Sequence, residues 1–136
     1  GAPTHAFSLR ELAAALAMVA GPDSVVARAM ISHPELVGGP ARDVTLWMQT
    51  LPTLVAKEGA AGVMAAAFAD GRAVAYKVAD GSDAARQAIV PAALEAVGVD
   101  VAATVPTTLE RVAVPVLGHG EPVGHLEAVE WMPCSS

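Results

Sequence analysis

Lys57 is the residue whose neighbours best suit it to do chemistry. It opens the run Lys57-Glu-Gly-Ala-Ala-Gly62. Gly59 and Gly62 lack a Cβ, so a ligand or a second backbone can approach the chain closely there. A lysine at the start of a strand beside such a bare edge can orient a carboxylate or carbonyl, or carry a proton when partly desolvated. On spacing alone a solvated strand-end lysine, with glycines needed only for packing, is the simpler reading. Arg42 and Thr45 form a second candidate pair at the start of a short helix. Arginine grips carboxylates through parallel N–H donors, and a helix N-terminus favours anions. A surface capping pair is again the simpler reading.

Other catalytic patterns are missing from the sequence. It has no Ser-x-x-Lys or Thr-x-x-Lys, the spacing that sets a nucleophile and its base on one helical face. It also lacks Gly-x-Ser-x-Gly, a phosphate loop and Gly-x-Gly-x-x-Gly. His5, His33, His119 and His125 are scattered, with no His-x-x-x-His pair and no cysteine near them in sequence. No metal and no cofactor is therefore expected, and His119 and His125, flanking a turn, read as solvated.

The elements that must position these residues can be read from local signals. Ser8-Leu-Arg-Glu11 is a capping box, opening a helix from about Leu9 to Ala20 that stops at Gly21-Pro22. Leu9, Leu12, Leu16 and Val19 share one face, which predicts a buried core helix. Asp23 or Ser24 caps a second helix through Val25, Val26, Met30 and Ile31, ended by His33-Pro34. His33 to Ala41 reads as a loop turning at Gly38-Gly39-Pro40. A third helix, Asp43 to Thr50, should turn Leu46 and Trp47 inward. Val63 to Ala69 and Arg72 to Val78 read as strands joined by the Asp70-Gly71 turn, with Val74, Tyr76 and Val78 alternating against Ala73, Ala75 and Lys77. The segment Asp80-Gly-Ser-Asp83 caps a helix from about Ala84 to Val97, which Pro91 should kink or divide and Gly98 ends. After a proline-punctuated connector, Val112 to Leu117 and Val123 to Trp131 read as a last strand pair around Gly118 to Pro122. The expectation is one α+β domain over residues 1–136: helices, then a small antiparallel sheet with a packed helix.

Composition narrows the partners. The chain has 136 residues, 54% of them hydrophobic and 16% charged, which excludes intrinsic disorder. Much of the apolar content is alanine, so the core should be Leu, Val and Met packed on small residues. A net charge of −6, with 8 Lys and Arg spaced singly, argues against nucleic acid and anionic membrane. The apolar run Leu12 to Gly21 is too short to span a bilayer. Cys134 is the lone cysteine, so no internal disulfide can form, which fits a reducing, cytoplasmic setting.

Four blocks together resemble a known family. Met30 to Arg42 (MISHPELVGGPAR) followed by Thr45-x-x-Met48, then Lys57 to Val63 (KEGAAGV), Lys77 to Ala84 (KVADGSDA) and the closing VLGHGEPVGHL are similar, in that order, to blocks of the L-asparaginase II family of bacterial amidohydrolases, the thermolabile type. Gly1-Ala-Pro3 resembles the residues after a cysteine in one of its motifs. Ala61 stands where that family commonly has an acidic residue, and Asp43-Val44 differs from its usual Phe followed by Asp or Cys.

The resemblance implies part of a fold related to serine β-lactamases and glutaminases. It implies hydrolysis of the side-chain amide of L-asparagine to aspartate and ammonia. The family's nucleophile is a serine in a Ser-x-x-Lys motif, absent here, so this chain is expected to be a C-terminal portion that is inactive alone. Lys57 would then sit at the pocket edge like the lysine of a Lys-Thr/Ser-Gly strand motif, with the backbone of Gly59 and Ala60 near the substrate and Arg42 and Thr45 in the same pocket. The expected partners are an amide substrate and either the missing N-terminal half or a second copy. The alternative is a catalytically inactive binding or oligomerisation domain.

Overall fold

The computed structural model describes residues 5–129. The order is α1 (Leu9–Val19), α2 (Val25–Ser32), α3 (Pro34–Val37), α4 (Asp43–Thr50), β1 (Leu54–Gly59), β2 (Val63–Phe68), β3 (Ala73–Lys77), α5 (Asp83–Ala96), α6 (Val101–Thr104), α7 (Pro106–Val112), β4 (Val114–Gly118) and β5 (Glu121–Leu126). The fold is α+β, as expected. The expectations for Gly1-Ala-Pro3, Cys134 and the end of the last strand at Trp131 fall outside the described residues.

A three-stranded antiparallel sheet, ordered β1-β2-β3, forms the middle layer. Successive side chains of a strand point to opposite faces. One face carries Leu54, Ala56, Met64, Ala66, Phe68 and Tyr76, and packs with Trp47 and Met48 of α4 and Val90 and Leu94 of α5 into the main core. The opposite face carries Val55, Ala67 and Ala73, and meets Leu16 and Ala17 of α1 and Ala27, Met30 and Ile31 of α2. Alanines on that face let the helix backbones come close, which explains why a chain with few aromatics still closes a core. The β4–β5 hairpin is a separate two-stranded sheet.

Local chemistry sets most boundaries. Ser8 Oγ accepts from the Glu11 backbone N–H at 3.2 Å and Glu11 Oε2 accepts from the Ser8 N–H at 2.6 Å, completing the capping box. Ser24 Oγ caps α2 through the Ala27 N–H, and Ser82 Oγ caps α5 through the Ala85 N–H. Helix α4 has the expected ends, and Trp47 is fully buried. Gly71 at φ +92° turns the second hairpin, where Asp70 Oδ1 also accepts from the Arg72 N–H.

Several expectations are corrected. Helix α1 is not a core helix: it has no buried residue, Leu12, Leu16 and Val19 are only half-buried, and Leu9 is exposed. It lies along one sheet face, and among the described residues no further layer covers its outer side. The His33 to Ala41 loop contains a helical turn, because Pro34 takes the first position of α3, where its fixed φ suits a helix and its missing N–H costs nothing. Lys57 is not at a strand start but fourth in the six-residue β1, paired with Ala65 across a first hairpin that no Asp-Gly-type turn pair marks in the sequence. Its turn, residues 60–62, has positive φ at Ala61 (58°) as well as Gly62 (72°), and alanine is not a turn signal.

Helix α5 runs undivided through Pro91: the proline removes one backbone donor, and Arg86, Val90, Ala93 and Leu94, buried on both sides of it, hold the two halves on the core. The connector after it forms α6, capped by Asp100 accepting from the Ala103 N–H, and α7, begun by Pro106. Val112 therefore belongs to α7 rather than to the last hairpin. That hairpin turns tightly at His119-Gly120, both at positive φ, and a register shift at Val116/Leu117 lets β5 begin at Glu121.

Candidate functional site

The β1–β2 turn, the residue preceding α4 and the N-terminus of α5 converge on one open cleft of about 450 Å³. Arg42, Lys57, Glu58, turn residues 59–62, Gly81 and Asp83 line it. Four of the five residues singled out from sequence, Arg42, Lys57, Gly59 and Ala60, are therefore neighbours around one space. Thr45 is not among them. It is fully buried, and its hydroxyl donates to the Gly39 carbonyl at 2.7 Å and the Pro34 carbonyl at 3.1 Å. That contact pins the α3–α4 connection, and so the approach of the chain to Arg42.

Lys57 reaches the cleft by an edge route. It leaves β1 on the face that carries Val55, whereas Glu58 leaves on the face of the main core. Because β1 lies at the sheet edge, the lysine can fold around its own backbone, and Nζ donates to the Glu58 carbonyl at 2.8 Å. An ammonium has three donors, so two stay available to the cleft. On the far strand Lys77 Nζ donates to the Ala61 carbonyl at 2.6 Å and braces the turn from outside.

The turn is tightly fitted. A Cβ at Gly62 would come within 2.9 Å of Val78 Cβ and 3.2 Å of the Gly81 carbonyl carbon, so glycine is required for space as well as for φ. The Gly62 carbonyl accepts from the Val78 N–H at 2.9 Å, locking the turn against the segment that enters α5.

Behind the cleft lies a buried ionic network. Arg86 of α5 is 0% exposed; its two terminal nitrogens donate to both Asp43 oxygens at 2.8 and 3.0 Å, and Nε donates to Asp83 Oδ1 at 2.7 Å. Arg86 Nη2 also lies 3.4 Å from Glu58 Oε2. Glu58 Oε1 in turn accepts from Arg42 Nε at 3.1 Å, and Arg42 Nη2 stands 3.5 Å from Asp83 Oδ2. Two guanidinium groups thus share Glu58 and Asp83. Burial alone would push the Arg86 guanidinium down, but the bonds from Asp43 and Asp83 more than offset this and hold it above its ordinary value. The Arg86 hydrogen bond likewise keeps the Asp83 carboxyl below the usual carboxylate range, and the Glu58 bond raises Arg42.

Asp43, Glu58, Asp83 and Arg86 were not recognised from sequence as site residues. One signal existed: Arg86, Val90, Ala93 and Leu94 recur at helical spacing, so the arginine sits on the buried stripe of α5. A buried charge requires an acidic partner, but spacing does not say which. Among the described residues no three His, Cys, Asp or Glu side chains gather to hold a metal ion, and no helix is long and apolar enough to cross a membrane.

The family model described as L-asparaginase II matches residues 1–128, nearly the whole chain, and the chain belongs to that family. No curated protein matches it.

Proposed function

We propose that this member of the L-asparaginase II family contributes one wall of an amidohydrolase site that converts L-asparagine and water to L-aspartate and ammonia. The carrying observation is the convergence of Lys57 and Arg42 on one cleft, roofed by the bare backbone of turn residues 59–62. Arg42 engages only Nε in a hydrogen bond among the described residues, which leaves its outer edge to grip a substrate carboxylate. Lys57, with donors directed past the strand edge, orients the side-chain amide carbonyl and relays a proton to the departing nitrogen. The nucleophile is a serine outside this sequence: its oxygen adds to the amide carbon, ammonia leaves with a proton, and water then cleaves the ester. Thr45 acts behind the site, through its hold on the α3–α4 connection.

A specific observation favours association with further polypeptide. Phe7, Leu9, Met18, Val25 and Val26, around α1 and α2, are exposed large hydrophobics. A second chain or a second copy covering them, with or without catalysis, is the alternative reading.

Ammonia release from L-asparagine is the direct test, with this chain alone and mixed with a family segment that carries Ser-x-x-Lys. Activity in the mixture only, abolished by Lys57→Ala, is the expected result. Association of the two without activity supports the binding-domain alternative, and activity from this chain alone refutes the assignment of the nucleophile to another segment.

A further inference from the structure

We infer that Asp83 is the acceptor for the α-ammonium group of the substrate, so that the cleft selects an α-amino acid over a simple carboxylic amide; this rests on the reading of the cleft as an amide-substrate site. Four ionisable groups line it, two cationic (Arg42, Lys57) and two anionic (Glu58, Asp83). A wall balanced in this way complements a dipolar ligand better than a simple anion or cation.

The two acids are not equivalent. Glu58 is 13% exposed, its Oε1 is taken by Arg42, and its Oε2 is buried against Arg86. Asp83 is 49% exposed. Its Oδ1 is held by Arg86, which fixes the carboxylate plane, while its Oδ2 accepts from Gln87 Nε2 at 3.0 Å. The Arg42–Asp83 separation of 3.5 Å is an ion pair too long for a good hydrogen bond. A carboxylate oxygen has two acceptor positions, so Oδ2 retains one for an ammonium. Arg42 keeps its outer N–H donors beside it. Adjacent sites for an ammonium and a carboxylate match the two groups on one α-carbon, and the remaining arm of the ligand then runs toward Lys57.

The test compares three ligands on the intact chain by NMR, read at the amide resonances of residues 57–62. L-asparagine carries both α-groups, succinamate lacks the ammonium, and 3-aminopropanamide lacks the carboxylate. The wild type should bind L-asparagine roughly tenfold or more tightly than succinamate, as for one charge-assisted hydrogen bond. In Asp83→Asn that preference should collapse, with succinamate binding little changed. Arg42→Gln should instead abolish the preference over 3-aminopropanamide and keep that over succinamate. Should Asp83→Asn not fold, the Asp83 carboxyl carbon resonance in the wild type serves: it should move with L-asparagine and stay still with succinamate. L-asparagine binding at the turn with equal affinity for succinamate, or a preference that survives Asp83→Asn, overturns this inference alone. No perturbation of residues 57–62 by any of the three ligands overturns the amide-site reading with it.

Discussion

Arg86 and Asp43, 43 residues apart in sequence, form a bidentate ion pair at 2.8 and 3.0 Å, with their side chains 0% and 3% exposed. The pair ties α5 to the first turn of α4 and so fixes the two helix ends that flank the cleft. It also isolates two charges from water, which makes each dependent on the other.

Removing the two partners together should therefore not cost the sum of removing each alone. Asp43→Leu leaves a buried guanidinium short of its main partner and should destabilise by about 3–5 kcal/mol. Asp43→Leu with Arg86→Met replaces the pair by apolar groups and should lose clearly less than the two single changes summed. Urea unfolding of the four proteins gives the coupling directly, and additive losses would show that the pair is not energetically linked.

Lys57 and Thr45 should separate cleanly into activity and stability. Lys57 is exposed and its ammonium bonds only the neighbouring carbonyl among the described residues, so Lys57→Ala should shift stability by within about 0.5 kcal/mol while ending ammonia release in the reconstituted assay. Thr45→Val leaves the buried Pro34 carbonyl and the half-buried Gly39 carbonyl without that donor and should cost about 1–3 kcal/mol. Thermal melts beside the assay would contradict this division if Lys57→Ala unfolded the chain.

Neighbouring turn residues should respond with opposite signs. Ala61 sits at φ 58°, a region that disfavours a Cβ, so Ala61→Gly should stabilise by up to about 1 kcal/mol. Gly62→Ala adds both strain and a 2.9 Å approach to Val78, and should destabilise by more than about 1 kcal/mol. Denaturant midpoints of the two variants decide it.

Two groups with opposite shifts contribute to the pH dependence of stability. Burial raises the Tyr76 hydroxyl well above its ordinary 10.0, and it donates to the Arg86 carbonyl at 2.6 Å. A raised folded value means that the native state keeps its proton longer, so this contribution is whole below pH 10.0 and lost as pH climbs above it. Tyr76 is the sole tyrosine, so phenolate absorbance should rise together with unfolding, not before it. Asp83 is depressed below its ordinary 3.8, chiefly by the Arg86 hydrogen bond, so its contribution is present above that pH and lost as pH falls below it. The acid limb should accordingly flatten in Asp83→Asn.

Features that depend on a few adjacent residues were legible before any fold was known. The caps at Ser8 and at Asp23 or Ser24, the glycine turn after Asp70, the helical spacing of α4 and the ordered family blocks act over one or two turns of chain. The hairpin at residues 60–62 escaped because one of its two turn residues at positive φ, Ala61, is an alanine, held there by the Val78 and Gly81 segment rather than by its own preference. That β1 is an edge strand emerges only from the assembled sheet. On that depends whether Lys57, pointing from the opposite face to Glu58, can share a cleft with Arg42. Tertiary pairing also gave Arg86 its partners: a helical stripe can require that a buried arginine be neutralised, but Asp43 meets it only because α4 and α5 pack on the same face of the sheet. Local signals set where elements begin and end, and long-range packing chose which charges meet.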